Sequence, residues 1–330
     1  MTLKTRATCN SRLVAALILL GGLSSPAQTQ AARVLKHESE RNEFFHYEGG
    51  VFLPMWEGGA LLDVVGNNSD EPVIFGIDRD GQMERFGFSV SGGRYILLAG
   101  LSRAKDGSIA AIGSAYSSDG QPVAFLARIT PDRSRKTIVQ LWPYVGLAVT
   151  FSPDGGMWTV GYVKPPDNLG ISEYNVLRRF DPSGKLLATA RVEAQGLYTQ
   201  GRNAATDSLM RVSKDRVGWL TNASEYIEFA IDGRELGRFP PPPGPPPEVF
   251  EATLALSDAN EVLVGTRAGD RLKVWSLDRK ERSWKPVELS GGRPLAHGAT
   301  LGFDGDTVVA IDGRHISGAT VSRYALSPAQ

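Results

Sequence analysis

Residues 147–190 read LAVTFSPDGGMWTVGYVKPPDNLGISEYNVLRRFDPSGKLLATA. Leu147–Phe151 is a short apolar run, and the Ser-Pro-Asp-Gly-Gly that follows is turn chemistry. Met157–Tyr162 is a second run, followed by a longer loop through Pro165-Pro166-Asp167-Asn168. Tyr174–Phe180 is a third, and Asp181-Pro182-Ser183-Gly184 turns it into Lys185–Ala190. Runs this short, rich in β-branched and aromatic residues and bounded by Gly, Pro, Asp and Asn, predict strands. Four such strands in about 40–50 residues make an antiparallel meander, the size of one β-propeller blade.

The same punctuation recurs along the chain. One series is Glu57-Gly58-Gly59, Lys105-Asp106-Gly107, Pro153-Asp154-Gly155, Lys214-Asp215-Arg216, Asp258-Ala259-Asn260 and Asp304-Gly305-Asp306, spaced by 44 to 61 residues. A second lies between its members, at Asp78-Arg79-Asp80-Gly81, Thr130–Arg133, Asp181–Gly184, Asp232-Gly233 and Asp278–Lys280, spaced by 46 to 52. Two interleaved series with one period place two tight turns of every repeat on the same side. No stretch after residue 40 sustains a helical apolar period. A lone blade cannot bury its faces, whereas a ring of blades buries each against a neighbour. The expected fold is therefore all-β: one propeller over residues 33–330, with six four-stranded blades. The fifth blade comprises Thr253–Leu256, Glu261–Thr266, Lys273–Leu277 and Trp284–Leu289. The sixth supplies only Ala299–Phe303, Thr307–Ile311 and Thr320–Leu326. Arg33–Tyr47 belongs to no repeat and is expected to provide the missing outer strand, since an unpaired edge is a liability.

The third repeat, SPDGGMWTVGY followed by VLRRFDPSGKLLAT, resembles blades of bacterial six-bladed propellers of the NHL, TolB-like and virginiamycin-lyase-like kind. The resemblance implies a fold and little about activity, because the matching residues report turn chemistry. Virginiamycin-lyase-like enzymes carry a catalytic histidine with acidic metal ligands. That constellation has no position-by-position counterpart here.

The 330 residues are 42% hydrophobic and 22% charged, as in ordinary globular proteins. Lys4, Arg6 and Arg12 precede an eleven-residue apolar stretch, Leu13–Leu23, and small residues follow up to Ala32. This is the pattern of a cleaved secretory leader over residues 1–32, with cleavage expected after Ala27, Ala31 or Ala32. The stretch falls short of the roughly 20 residues a membrane span needs. A periplasmic or secreted protein is expected, with no membrane insertion after cleavage. Cys9 is the sole cysteine and lies in that leader, so the mature chain has no thiol for a disulfide, a metal or catalysis. Lys+Arg and Asp+Glu balance at 36 each. Nothing in that balance points to nucleic acid as a partner.

No complete catalytic motif is present. Gly100-Leu-Ser102-Arg-Ala104 comes near a nucleophile elbow but lies between two strands, where the elbow needs a strand leading into a helix. Gly184-Lys185 is followed by Leu186, which ends a phosphate-loop reading. Asp78–Gly81 and Asp304–Asp306 are partial calcium loops, better read as hairpin turns. Pro240–Pro247 is one Gly among prolines, a polyproline II connector. The four histidines form no metal spacing. In a ring, His46 and His297 precede the inner strands of neighbouring blades, so that with Glu48 they could hold a divalent cation at the channel mouth. The alternative function is thus a metal-dependent lactonase or lyase. The main expectation is a monomeric binding module without cofactor, holding a protein, peptide or glycan on its loop face. Arg94, Trp142, Tyr144, Tyr198 and His297 are its candidate contacts, since arginine and aromatics anchor recognition surfaces.

Overall fold

In a computed structural model residues 31–330 form a unit separate from those before them. Residues 33–44, 54–165, 170–192, 209–221, 224–243, 252–315 and 318–328 are described. The expected leader lies outside them. So do residues 45–47 of the expected closing segment and the second half of the proline tract.

Twenty-four strands are found among the described residues, and no helix. β1 is Arg33–Phe44. Four four-stranded sheets follow the meander read from the sequence. The first contains β2 (Met55–Glu57), β3 (Ala60–Val65), β4 (Val73–Asp78) and β5 (Met83–Gly87). The second contains β6 (Gly93–Arg103), β7 (Ile109–Ser117), β8 (Pro122–Ile129) and β9 (Lys136–Gln140). The third contains β10 (Tyr144–Phe151), β11 (Met157–Val163), β12 (Glu173–Phe180) and β13 (Leu186–Arg191). The fourth contains β14 (Leu209–Val212), β15 (Arg216–Leu220), β16 (Tyr226–Ala230) and β17 (Glu235–Phe239). The remaining strands form one eight-stranded sheet. It contains β18 (Thr253–Leu256), β19 (Val262–Ala268), β20 (Arg271–Asp278), β21 (Ser283–Ser290), β22 (Thr300–Asp304), β23 (Thr307–His315) and β24 (Gly318–Pro328), with β1 between β21 and β24.

β1 takes the outer position beside β24 that the sequence left vacant, pairing antiparallel from Arg33↔Pro328 to Phe44↔Gly318. It also does something the repeats did not foretell. Residues Arg33–Lys36 pair in parallel with Val287–Ser290 of β21. Two meanders thereby share one continuous sheet.

The turns explain why Asp and Gly recur. Asp106, Asp154 and Asp181 each accept a backbone N–H two residues on, at 2.8, 3.1 and 2.8 Å. Gly107 and Gly155 stand at φ 88° and 79°, where a side chain would be strained. Asp78 accepts the amides of Asp80 and Gln82, so this calcium-loop fragment is spent on its own hairpin. In the second strands, Gly113 and Gly161 lie where a Cβ would meet the carbonyl oxygens of Leu97 and Val145, each at 2.1 Å.

The core is divided into layers between successive sheets. Leu62 and Ile74 of the first sheet pack with Leu98 and Phe125 of the second. Trp158 and Leu177 of the third meet Trp219 and Ile227 of the fourth. Trp56 and Leu61 of the first sheet meet Val309 and Val321 of β23 and β24. The first strands follow one another round an axis in the order β6, β10, β14, β18, β22, β2. Ser102 and Glu57 join β6 to β2. This is a propeller arrangement.

Candidate functional site

Two ends of this arrangement carry chemistry. At one end lie the connections into each first strand and the turns between second and third strands. Arg94 is exposed there, at the start of β6, and is paired with Tyr116 at the end of β7. Trp142, on the connection from β9 to β10, is 38% exposed. Tyr95, Tyr116 and Tyr174 are exposed at the same end of the second and third sheets. Tyr95 and Tyr116 escaped the sequence reading. In β7 Tyr116 is exposed where the strand's preceding residues are mostly buried, a difference that its sequence, IAAIGSAYS, does not show.

Tyr144 is not at this surface. It is fully buried between the second and third sheets, and its hydroxyl bonds Thr159 Oγ1 at 2.9 Å and Val176 O at 3.2 Å. The Arg178 guanidinium lies over its ring at 4.1 Å. Burial raises the phenol well above its usual range, against the opposing hydrogen bond from Thr159 and the charge of Arg178. Its role is packing. His297 is half-buried just before β22, and its amide donates to Asp270 O at 3.2 Å. Tyr198, His46 and Glu48 lie outside the described residues. Among the described residues, no group of three or more His, Cys, Asp or Glu is arranged to hold a metal ion.

The opposite end holds a cavity of about 800 Å³ on the axis, lined by the turns after β2, β6, β10, β14, β18 and β22. These are the turns of the first series in the sequence, brought into one ring. Lys105 and Asp258 form an ion pair across the ring. Their turns are separated by those of β10 and β14 on one side and of β22 and β2 on the other.

Inside the ring the first strands present polar groups. The Ser102 hydroxyl donates to Glu57 Oε1 at 3.0 Å and accepts the Phe151 amide at 3.1 Å. With its residue fully buried, it is structural and no nucleophile. Thr253 repeats the device, its Oγ1 accepting the Leu301 amide at 2.8 Å. Among the described residues the buried oxygen Glu57 Oε2 has no hydrogen bond of good geometry, although the Arg103 amide and the Thr150 hydroxyl lie near enough to favour the charged carboxylate. Burial raises the Glu57 carboxyl above the ordinary range, opposed by the Arg211 charge and the Ser102 hydrogen bond. Arg211, in β14, is 8% exposed; its Nη1 donates to Met210 O at 2.8 Å and, among the described residues, its Nη2 meets only the Met55 sulfur, at 3.9 Å. The sequence marked Glu57 only as the first residue of a recurring turn, Glu57-Gly58-Gly59, and did not mark Arg211 at all.

No protein-family model matches the sequence, and no curated protein does. Among solved structures, Trypanosoma rangeli sialidase in complex with sialic acid is similar at 10% identity, with a TM-score of 0.51. The match covers 87% of this chain and 59% of that one. A mutant of the same sialidase displaying trans-sialidase activity matches at 11% identity and TM-score 0.50, over 89% of this chain and 58% of that one. A gluconolactonase from Xanthomonas campestris matches at 11% identity and TM-score 0.45, over 89% and 97%. At such identities the likeness is one of fold. Fold and comparisons together define the chain as an all-β protein of the β-propeller type.

Proposed function

We propose that this is an exported, monomeric six-bladed propeller that acts as a binding module, taking a protein, peptide or glycan on its loop end. Six blades follow if the eight-stranded sheet is counted as two meanders, β18–β21 and β22–β24 with β1, fused edge to edge by β1. Export follows from the basic, apolar and small-residue order of residues 1–32. The observation behind the binding function is the cluster of exposed aromatics, Tyr95, Tyr116, Trp142 and Tyr174, at one end of two neighbouring sheets, with Arg94 among them. Exposed rings on rigid strand ends offer contact area at small entropic cost, and arginine adds directional hydrogen bonds. Loops and strand ends on a rigid scaffold are where recognition is usually placed.

The test uses the mature chain on glycan and peptide arrays, followed by titration of the best hit. Trp142→Ala and Tyr116→Ala are expected to weaken that hit about tenfold or more each, the loss of an interface anchor. Absence of any hit, or a hit that both variants bind as tightly as the parent, overturns the proposal. A lactone-hydrolysing or eliminating activity that needs a divalent cation and His297 would replace it with an enzyme.

A further inference from the structure

The axial cavity lies at the end away from those aromatics, and its chemistry is different. Arg211 lines it and is 8% exposed. Burying a guanidinium is costly unless an acid or a full set of acceptors meets it. Arg133, Arg279 and Arg323 each hold a carboxylate: Glu84, Glu228 and Asp304 at 2.5, 2.5 and 2.7 Å. Among the described residues Arg211 forms no such ion pair. It makes one good hydrogen bond, to Met210 O, and a long contact to a thioether, and its Nε has no partner. Glu57 acts on it only through the field, and that acid is itself pushed toward its neutral form by burial. The site is therefore short of one negative charge.

We propose that the cavity binds a small organic carboxylate with an apolar body, its carboxylate on Arg211 and its second polar contact on Glu57. Guanidinium and carboxylate match in plane and spacing, which makes this the strongest charged hydrogen-bond pair available to a side chain. Glu57 Oε2 is one of the buried polar atoms beside the cavity without a hydrogen bond among the described residues, with Trp56 Nε1, Arg103 Nε and Ser152 Oγ, and it is the carboxylate oxygen of that set. Burial raises the Glu57 carboxyl and so favours the protonated form, which would donate to an oxygen of the bound acid. Trp56, Phe151, Leu256 and Phe303 give the wall apolar area for a hydrocarbon or ring, while Arg103, Lys105, Lys214 and the aspartates of the turns make the rest of it charged. A volume of about 800 Å³ suits a ligand of metabolite size. The Lys105–Asp258 pair spans the ring of turns, and both side chains are exposed enough for water to compete. The pair would part at little cost to admit a ligand.

The test titrates the mature chain with benzoate, phenylacetate and octanoate, with the matching amides and with inorganic phosphate. Heat of binding and the Arg211 Nε–H resonance are followed. At least one carboxylate is expected to bind in the micromolar to millimolar range and to move that resonance, while its amide binds at least tenfold more weakly. Arg211→Met is expected to abolish binding yet melt no lower than the parent, because it removes a buried charge that lacks an ion pair. Arg211→Lys should weaken binding about tenfold or more, since an ammonium lacks the planar fork. Trp142→Ala should leave it unchanged, which separates this site from the loop end. Three results overturn the proposal. They are no carboxylate binding at millimolar concentration, undiminished binding in a folded Arg211→Met, and phosphate binding as tight as the best carboxylate.

Discussion

The Ser102 hydroxyl donates a hydrogen bond to Glu57 Oε1 at 3.0 Å and accepts one from the Phe151 amide at 3.1 Å, so one hydroxyl ties together β2, β6 and β10. Ser102→Ala would leave a backbone N–H and a carboxyl oxygen short of a partner in the interior. Each buried polar group left unpaired costs about 1–3 kcal/mol. The expected loss is about 2–4 kcal/mol in urea unfolding, with no effect on binding at the loop end. Thr253→Val, close to isosteric, orphans the Leu301 amide in the same way and should cost about 1–3 kcal/mol. If both variants unfold at the parental urea midpoint, the hydroxyls do not hold the first strands together.

A second device joins the fourth sheet to the β20–β21 turn. Glu228, whose side chain is 2% exposed, takes Arg279 through Nε at 3.1 Å and Nη2 at 2.5 Å, Arg216 at 3.0 Å, and the Tyr226 hydroxyl at 3.2 Å. Removing one partner of a buried ion pair leaves the others uncompensated. Glu228→Ala should therefore cost about 3–5 kcal/mol. Glu228→Gln keeps the shape and one acceptor and should cost less. Chemical denaturation of the two variants checks the order, and a Glu228→Ala loss below about 1 kcal/mol would refute the staple.

The meander was legible because the strands and turns of Leu147–Ala190 are local. Alternation and Asp-Gly chemistry are written within a few residues of where they act. Tyr144 was misplaced because Trp142 and Tyr144 look alike in sequence, and two residues decide which is outside. Trp142 precedes β10, whereas Tyr144 opens it opposite Val163 and turns into the core. Glu57 and Arg211 were illegible for a different reason. They come from β2 and β14, and only ring closure places both on one cavity. The parallel pairing of β1 with β21 was equally hidden, since Arg33–Lys36 carries no sign of having two neighbours.

Asp63 predicts an unusual pH dependence. It is fully buried in β3; Oδ1 accepts the Val64 amide at 2.7 Å and Oδ2 has no partner among the described residues. Burial pushes its carboxyl up to about 7, against the pull of that amide. The folded state thus holds a proton that the unfolded chain releases near its ordinary value of 3.8. Its contribution is fully present below that value, is lost as pH rises toward 7, and is flat above. Linkage puts the total at up to about 4 kcal/mol. Asp63→Asn should remove this slope and be more stable than the parent at pH 7.5. Urea midpoints of both proteins from pH 4 to 8 test it, and parallel curves would sink the assignment.

β1 is a piece of chain remote in sequence from the sheet it completes, so its contribution can be separated from the rest. It pairs with β24 from Arg33 to Phe44 and with β21 over Arg33–Lys36. Leu35 is fully buried among Leu263, Val287, Leu301 and Tyr324. Ion pairs from Arg33 to Glu261 and from Glu40 to Arg293 flank it. Deleting Arg33–Phe44 exposes two strand edges and one apolar layer at once. The deletion should cost several kcal/mol, which for a chain of this size lowers the melting temperature by about 10 °C or more. Leu35→Ala alone should cost about 2–5 kcal/mol through the cavity it leaves. Because the strand holds by edge pairing, a synthetic peptide of residues 33–44 added to the truncated protein should restore most of the loss. A truncated protein that melts within a degree or two of the parent would show that β1 does not hold the ring. One that melts low but ignores the peptide would show that its contribution is not the pairing itself.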